Sequence, residues 1–228
     1  ENTLNISKIL VEARLFNREF DGLEDQIRQM LGKVKVETDG IDFLLVLRGL
    51  KATLGQYQEA IELAKEALNT LDIHFPSDET LAEEGQKIAQ SILQRLDKGR
   101  LSEHILSPPL NLSKEQNISV FLLCQITDIG YIRGDIPLLT YVNSKAAMLA
   151  LENATLSHSP MAFSRFCMIL SVAGFYQLSY EVGKLAIELA NKINQTLNLS
   201  SINFIFGGFL VHWIKPIKES FPYLESGI

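Results

Sequence analysis

Gly55-Gln56-Tyr57-Gln58-Glu59-Ala60, followed by Ala67 twelve residues after the glycine, is the stretch on which the fold turns. A glycine can close one helix in a left-handed conformation, and the small residues at +5 and +12 let the next helix fold back closely. The pattern returns around Gly134 and Gly174. Position +2 is then Tyr57, Ile136 and Tyr176; position +5 is Ala60, Leu139 and Ser179; position +12 is Ala67, Ala146 and Ala186. A fourth copy aligns Phe20 with Tyr57, with Arg18 in the place of its glycine. Such spacing predicts helix hairpins in which the +2 side chain fills the hairpin base. Phe20 and Tyr57 lie 37 residues apart and Gly134 and Gly174 lie 40 apart, longer than the tetratricopeptide period of about 34, so the hairpins are tetratricopeptide-like and irregular in length.

Working outward, apolar positions recur with a helical period along the whole chain, and no stretch sustains the alternation of a strand. After Tyr57 the set Ala60, Ile61, Ala64, Leu68 and Leu71 makes one face of a helix; Val182, Leu185, Ala186, Leu189, Ile193 and Leu197 make another. The expected helices are 4–16, 20–34, 40–54, 57–71, 79–96, 115–132, 136–153, 161–173, 176–196, 201–212 and 216–225. Asp135 follows Gly134 as an N-cap with Pro137 in the first turn, and Ser113 with Gln116 fits a capping box. Ser159-Pro160 reads as a cap and first-position proline, and Phe75-Pro76-Ser77 as the end of one helix and the cap of the next. The segment 79–112 breaks the repeat rhythm with one amphipathic helix, carrying Leu81, Ile88, Ile92 and Leu96 inward, and a loop with Pro108-Pro109. The expected architecture is a single all-α helical-repeat domain over 1–228, an α-solenoid with a soft internal boundary near 97–113. The abrupt helical pattern at both ends is read as a segment of a longer chain.

Composition narrows the function. Among 228 residues, 21 basic against 27 acidic give a net charge of −6, with no basic cluster for nucleic acid or for an anionic membrane surface. No apolar run is long enough to span a bilayer. Two cysteines, Cys124 and Cys167, sit in apolar helical runs and make no disulfide framework, which favours a reducing, cytoplasmic setting. Six Asn-X-Ser/Thr triplets, several of them on helices, read as chance matches.

Chemistry-bearing patterns are sparse. Gly183-Lys184 lies within a helix and lacks the strand and glycine-rich loop of a phosphate site. Gly207-Gly208, between Phe206 and Phe209, is read as close helix packing or a kink. The histidines His74, His104, His158 and His212 have no metal-ligand spacing, and no cofactor is expected. His212-Trp213 is the candidate interface: the sole Trp either anchors a helix end or meets a neighbouring domain, where Trp is enriched at binding hot spots. Glu59, Glu62, Lys65 and Glu66 read as a solvated helix face.

Three strings carry a resemblance. They are Glu12-Ala13-Arg14-Leu15-Phe16 with Phe20, leading through Gly55–Ala67 to Leu71-Asp72-Ile73-His74-Phe75-Pro76; Gly174 through Tyr180-Glu181-Val182-Gly183-Lys184-Leu185-Ala186; and Phe204-Ile205-Phe206 with His212-Trp213 and Lys218-Glu219-Ser220-Phe221. In this order they resemble the helical-repeat region of large signalling ATPases. In that family a STAND-type (AAA-like) module precedes the repeats, a serine/threonine kinase domain often lies upstream, and GAF, histidine kinase or cyclase-type outputs often follow. The chain departs from the family at Ile214-Lys215-Pro216, where a charged helix is usual, and around Leu101–Leu112. The family's catalytic residues lie outside this region, so none transfers here.

The resulting expectation is a non-catalytic regulatory or protein-interaction module that binds a partner, a ligand or an adjacent domain of the same chain. One rival is a free-standing repeat adaptor. Another is a small helical enzyme using Cys124 or Cys167 with a histidine.

Overall fold

A computed structural model of the chain describes residues 2–34, 37–96, 105–106, 114–152, 157–194 and 198–227. Every regular element among them is helical: α1 (Asn2–Phe16), α2 (Leu23–Leu31), α3 (Glu37–Thr53), α4 (Tyr57–Thr70), α5 (Leu81–Leu96), α6 (Lys114–Arg133), α7 (Ile136–Glu152), α8 (Ser159–Val172), α9 (Tyr176–Lys192), α10 (Leu199–Ile205) and α11 (Phe221–Ser226). The fold class is all-α, as the periodicity predicts. The chain divides into two compact units, Glu1–Phe75 and Pro76–Ile228. The division falls at Phe75-Pro76; the soft boundary expected near 97–113 lies in a stretch of which only Ile105 and Leu106 are described.

The repeated turns share one construction. Arg18, Gly55, Gly134 and Gly174 have φ of 60°, 75°, 65° and 84°. At Gly55 its own N–H bonds Ala52 O at 3.1 Å, and the next, of Gln56, reaches Lys51 O at 2.8 Å. The other three turns repeat both bonds, which satisfy the last helix carbonyls in a Schellman arrangement. Arg18 therefore does the work of a glycine, at the steric cost of a Cβ in left-handed backbone. Asp72, at φ 58°, ends α4 in the same way, with Ile73 N on Leu68 O at 2.9 Å. That helix thus stops before Phe75-Pro76, and Ser77 sits in a turn with Thr80 ahead of α5.

In unit 1, α3 and α4 form the first close hairpin. Ala60, Ala64, Ala67 and Leu68 are buried on α4, and Val11, Leu23, Ile27, Phe43, Leu47 and Leu50 form the core of α1–α3, with Phe20 packed on it. Lys51 is buried, and its Nζ bridges Glu24 at 2.7 Å and Glu59 at 2.8 Å. These hydrogen bonds hold the Glu24 carboxyl below its ordinary range, Lys51 being the main cause, and raise the Lys51 ammonium. Glu59 is thus part of a bridge between helices, whereas Glu62 and Lys65 pair on the exposed face at 3.3 Å.

In unit 2, α6–α7 and α8–α9 are the next hairpins, α7 packs on α8, and α10 lies against α8 and α9. Helix α5 runs along α7 instead of forming a sequential hairpin. Gly85 makes that possible: a Cβ there would lie 2.7 Å from Tyr141 N and 2.8 Å from its Cα. Asp135 caps α7, its Oδ1 accepting from Leu138 N at 3.1 Å. Ser159 is itself the first residue of α8, with Pro160 in the first turn and His158 as the N-cap, so the expected serine cap is absent. The capping box at Ser113 lies outside the described residues.

The small residues behave as the repeat requires, with Ala67, Ala146 and Ala186 all buried. The +2 side chains divide: Phe20 packs on the core of unit 1 and Tyr57 is half-buried, whereas Ile136 and Tyr176 are exposed at their hairpin ends. The expected helix 201–212 is also interrupted. After α10 the chain widens into a π-turn over Phe206–Leu210 and tightens to a 3₁₀ turn over Val211–Trp213. Gly207 lets Ser220 and Tyr223 pack directly on this turn, because a Cβ there would meet Tyr223 Cβ at 2.9 Å and Ser220 O at 3.0 Å. A second 3₁₀ turn, Ile217–Ser220, leads into α11.

Candidate functional site

Within unit 2 each wall helix offers one stripe at helical spacing to a common groove. Helix α8 gives Arg165, Met168, Ile169 and Val172; α7 gives Ile136, Leu139, Thr140 and Asn143; α10 gives Ser201, Phe204 and Ile205. The last turns of α6 add Thr127, Asp128, Tyr131 and Ile132, and Phe209 comes from the π-turn. The space within the groove measures about 610 Å³. These helices carry two apolar faces, one spent on the core and one on the groove. On α8, for example, Ala162, Phe163, Phe166, Cys167 and Leu170 are buried, while Val172 is 83% exposed. Tyr131, Ile132, Ile136 and Phe204 are each at least half exposed on the same groove.

Two polar pairs interrupt this apolar lining. Thr127 Oγ1 donates to Asn143 Oδ1 at 2.7 Å, with both residues buried. Arg165 is 8% exposed, and its Nη2 lies 2.8 Å from Oδ1 of Asp128, whose side chain is 55% exposed. Arg165 Nε is buried with no hydrogen-bond acceptor among the described residues. Arg165 and Asp128 are the charged side chains of the lining.

The cysteine chemistry weighed from sequence finds little support in the geometry. Burial pushes the Cys124 thiol up to about 11, with Arg165 opposing and Asp128 adding to the rise. Cys167 is raised further by burial, and its Sγ donates to Phe163 O at 3.0 Å. A nucleophilic thiol needs the opposite shift. His158 packs on Phe121, ring centroids 4.8 Å apart, and burial lowers its pKa. No cluster of His, Cys, Asp and Glu able to hold a metal occurs among the described residues.

His212 and Trp213 lie in the 3₁₀ turn, outside the groove lining. Trp213 stacks on Tyr176 at 4.6 Å and 17°, tying the turn to the start of α9, and remains half exposed. Gly183 lies mid-helix, where a Cβ would meet Phe206 Cδ2 at 2.7 Å, so its role is close packing. The groove itself was not anticipated from the sequence. The available signal was the apolar breadth of α6, α7 and α8, wider than one buried stripe requires. No helix among the described residues is long and apolar enough to cross a membrane.

Comparison with models of protein families, with curated proteins and with solved structures gives no match to this chain.

Proposed function

We propose that the chain is a non-catalytic binding module whose groove in unit 2 receives a partner or ligand, as a regulatory part of a larger signalling ATPase or kinase. The observation that carries the binding role is the convergence of Tyr131, Ile132, Ile136, Val172 and Phe204, all substantially exposed, on one groove. Monomeric proteins rarely leave such a patch uncovered unless it meets something. Occupancy would act mechanically, because a ligand touching α6, α7, α8 and α10 together favours the arrangement of hairpins in which it fits. The signalling context rests on the family resemblance of the three strings.

Two measurements test these two parts. An immunoblot of unfractionated lysate should show a polypeptide far larger than 228 residues. A band at the size of this chain would remove the signalling-ATPase context and leave a free-standing adaptor. ATP hydrolysis by the isolated chain, or rapid labelling of Cys124 or Cys167 in the folded state, would overturn the non-catalytic reading.

A further inference from the structure

We propose that the occupant of the groove is a small amphipathic carboxylate, its apolar body against Tyr131, Val172 and Phe204 and its carboxylate on Arg165. The inference rests on the groove being a binding site, and it adds the chemistry of the ligand. Size is the first argument. About 610 Å³ falls within the range of pockets that enclose single small molecules, and the walls come from four helices and a π-turn.

Charge is the second argument. A guanidinium has five N–H donors and holds its charge at every accessible pH. Arg165 is buried in an apolar wall, yet the one acceptor given to it is a single oxygen of Asp128. Its Nε has no acceptor among the described residues. Nε is closed off from the groove, so the terminal nitrogens are the donors a ligand can meet, and a carboxylate can offer them two oxygens where Asp128 gives one. Asp128 stands more than half in water, so it can swing aside at little desolvation cost when a ligand approaches.

The same charge count selects against the alternatives. A phosphate monoester brings nearly two negative charges, and the lining offers Arg165 as its cation. A cationic amphiphile would gain Asp128 but would place its charge beside a buried guanidinium that cannot deprotonate. Thr127 and Asn143, already bonded to each other, are buried lining residues that offer neutral polar contacts for a ligand's remaining polar edge.

The test is calorimetric titration of the 228-residue chain with dodecanoate and with 2-naphthoate, each beside its neutral amide, below any micelle concentration. At least one acid should bind about tenfold or more tighter than its amide, the difference expected for a charge-assisted pair. Arg165→Gln should erase that preference, acid and amide then binding alike. Arg165→Lys, which keeps the cation and loses the fork, should retain part of the preference, and it decides the matter if the glutamine variant does not fold. Val172→Asp should weaken both, and the acid at least as much as the amide, because the new carboxylate also repels it. Equal binding of acid and amide, both weakened by Val172→Asp, would overturn the carboxylate and leave the groove as a binding site. Absence of binding by all four compounds below about 1 mM would overturn the small-molecule occupant itself. An acid preference that survives in Arg165→Gln would overturn the role of Arg165.

Discussion

Each unit carries an open groove of similar size, about 530 Å³ in unit 1 and about 610 Å³ in unit 2. The first is lined by Leu31, Val34, Gly40 and Leu44 on one side and by Glu66, Asn69 and Thr70 on the other. The second is mainly apolar, with two polar pairs and the hydroxyls of Thr140 and Ser201. Both flank hairpins closed by the same left-handed turn, so turn chemistry does not decide which groove binds. What differs is the helix behind the turn. Helix α4 has one apolar face and spends it on the core, whereas α6, α7 and α8 have a second face left over. A hairpin becomes a binding surface when its helices are more apolar than their packing needs.

The sharpest way to break this comparison lies at the helical glycines. Gly85→Ala would press a Cβ into the backbone of α7 in unit 2, and we expect a loss of about 3 kcal/mol in urea unfolding. The matching change in unit 1, Gly49→Ala, meets the end of the Leu15 side chain at 3.2 Å, which can shift. Its cost should stay below about 1 kcal/mol, and equal costs at both positions would contradict the close approach of α5 and α7.

The turns come next. Gly174→Ala should cost about 1–2 kcal/mol, because φ of 84° is strained for any Cβ. Arg18→Gly, at the corresponding position of unit 1, should instead gain about 0.5 kcal/mol, the relief of strain exceeding the entropy lost by glycine. Thermal unfolding of the pair measures both signs.

Lys51→Met sharpens the contrast in how the units hold polar groups. It removes the bridge to Glu24 and Glu59 but returns two partly exposed carboxylates to water, so about 1–2 kcal/mol should be lost at neutral pH. The Glu24 carboxyl is depressed below its ordinary value of 4.5 in the folded chain. Its contribution is therefore complete above that value and is lost as pH falls through the depressed one. The stability difference between wild type and Lys51→Met should shrink in that acid window; an unchanged difference would show that the bridge does not act through Glu24. The smallest expected effect is Val172→Asp, within about 0.5 kcal/mol on stability because Val172 is exposed, yet decisive for ligand uptake.

Much of the scaffold was legible because its signals are local. Gly55, Gly134 and Gly174 announce left-handed turns, and Arg18 could be aligned with them from Phe20 alone. Gly207-Gly208 announced a packing contact or a kink and became a π-turn. The exposed Ile136 and Tyr176 were misread, because the +2 position shows only that a residue is near a turn, not which way its side chain leaves it. His212-Trp213 was singled out for rarity, yet Trp213 stacks on Tyr176 and the groove lies elsewhere.

The sequence by itself determined the all-α class, the helix limits to within a few residues in most cases, and the closure of each turn. Those are properties of short windows, in which backbone preference and apolar period act without distant partners. Only the tertiary structure decided that the chain divides at Phe75-Pro76, that α5 lies on α7 through Gly85, and that four separate helices turn apolar stripes toward one groove. Each depends on segments far apart in the chain meeting with a given rotation, and an apolar residue on a helix does not reveal whether the neighbour it faces is protein or open groove.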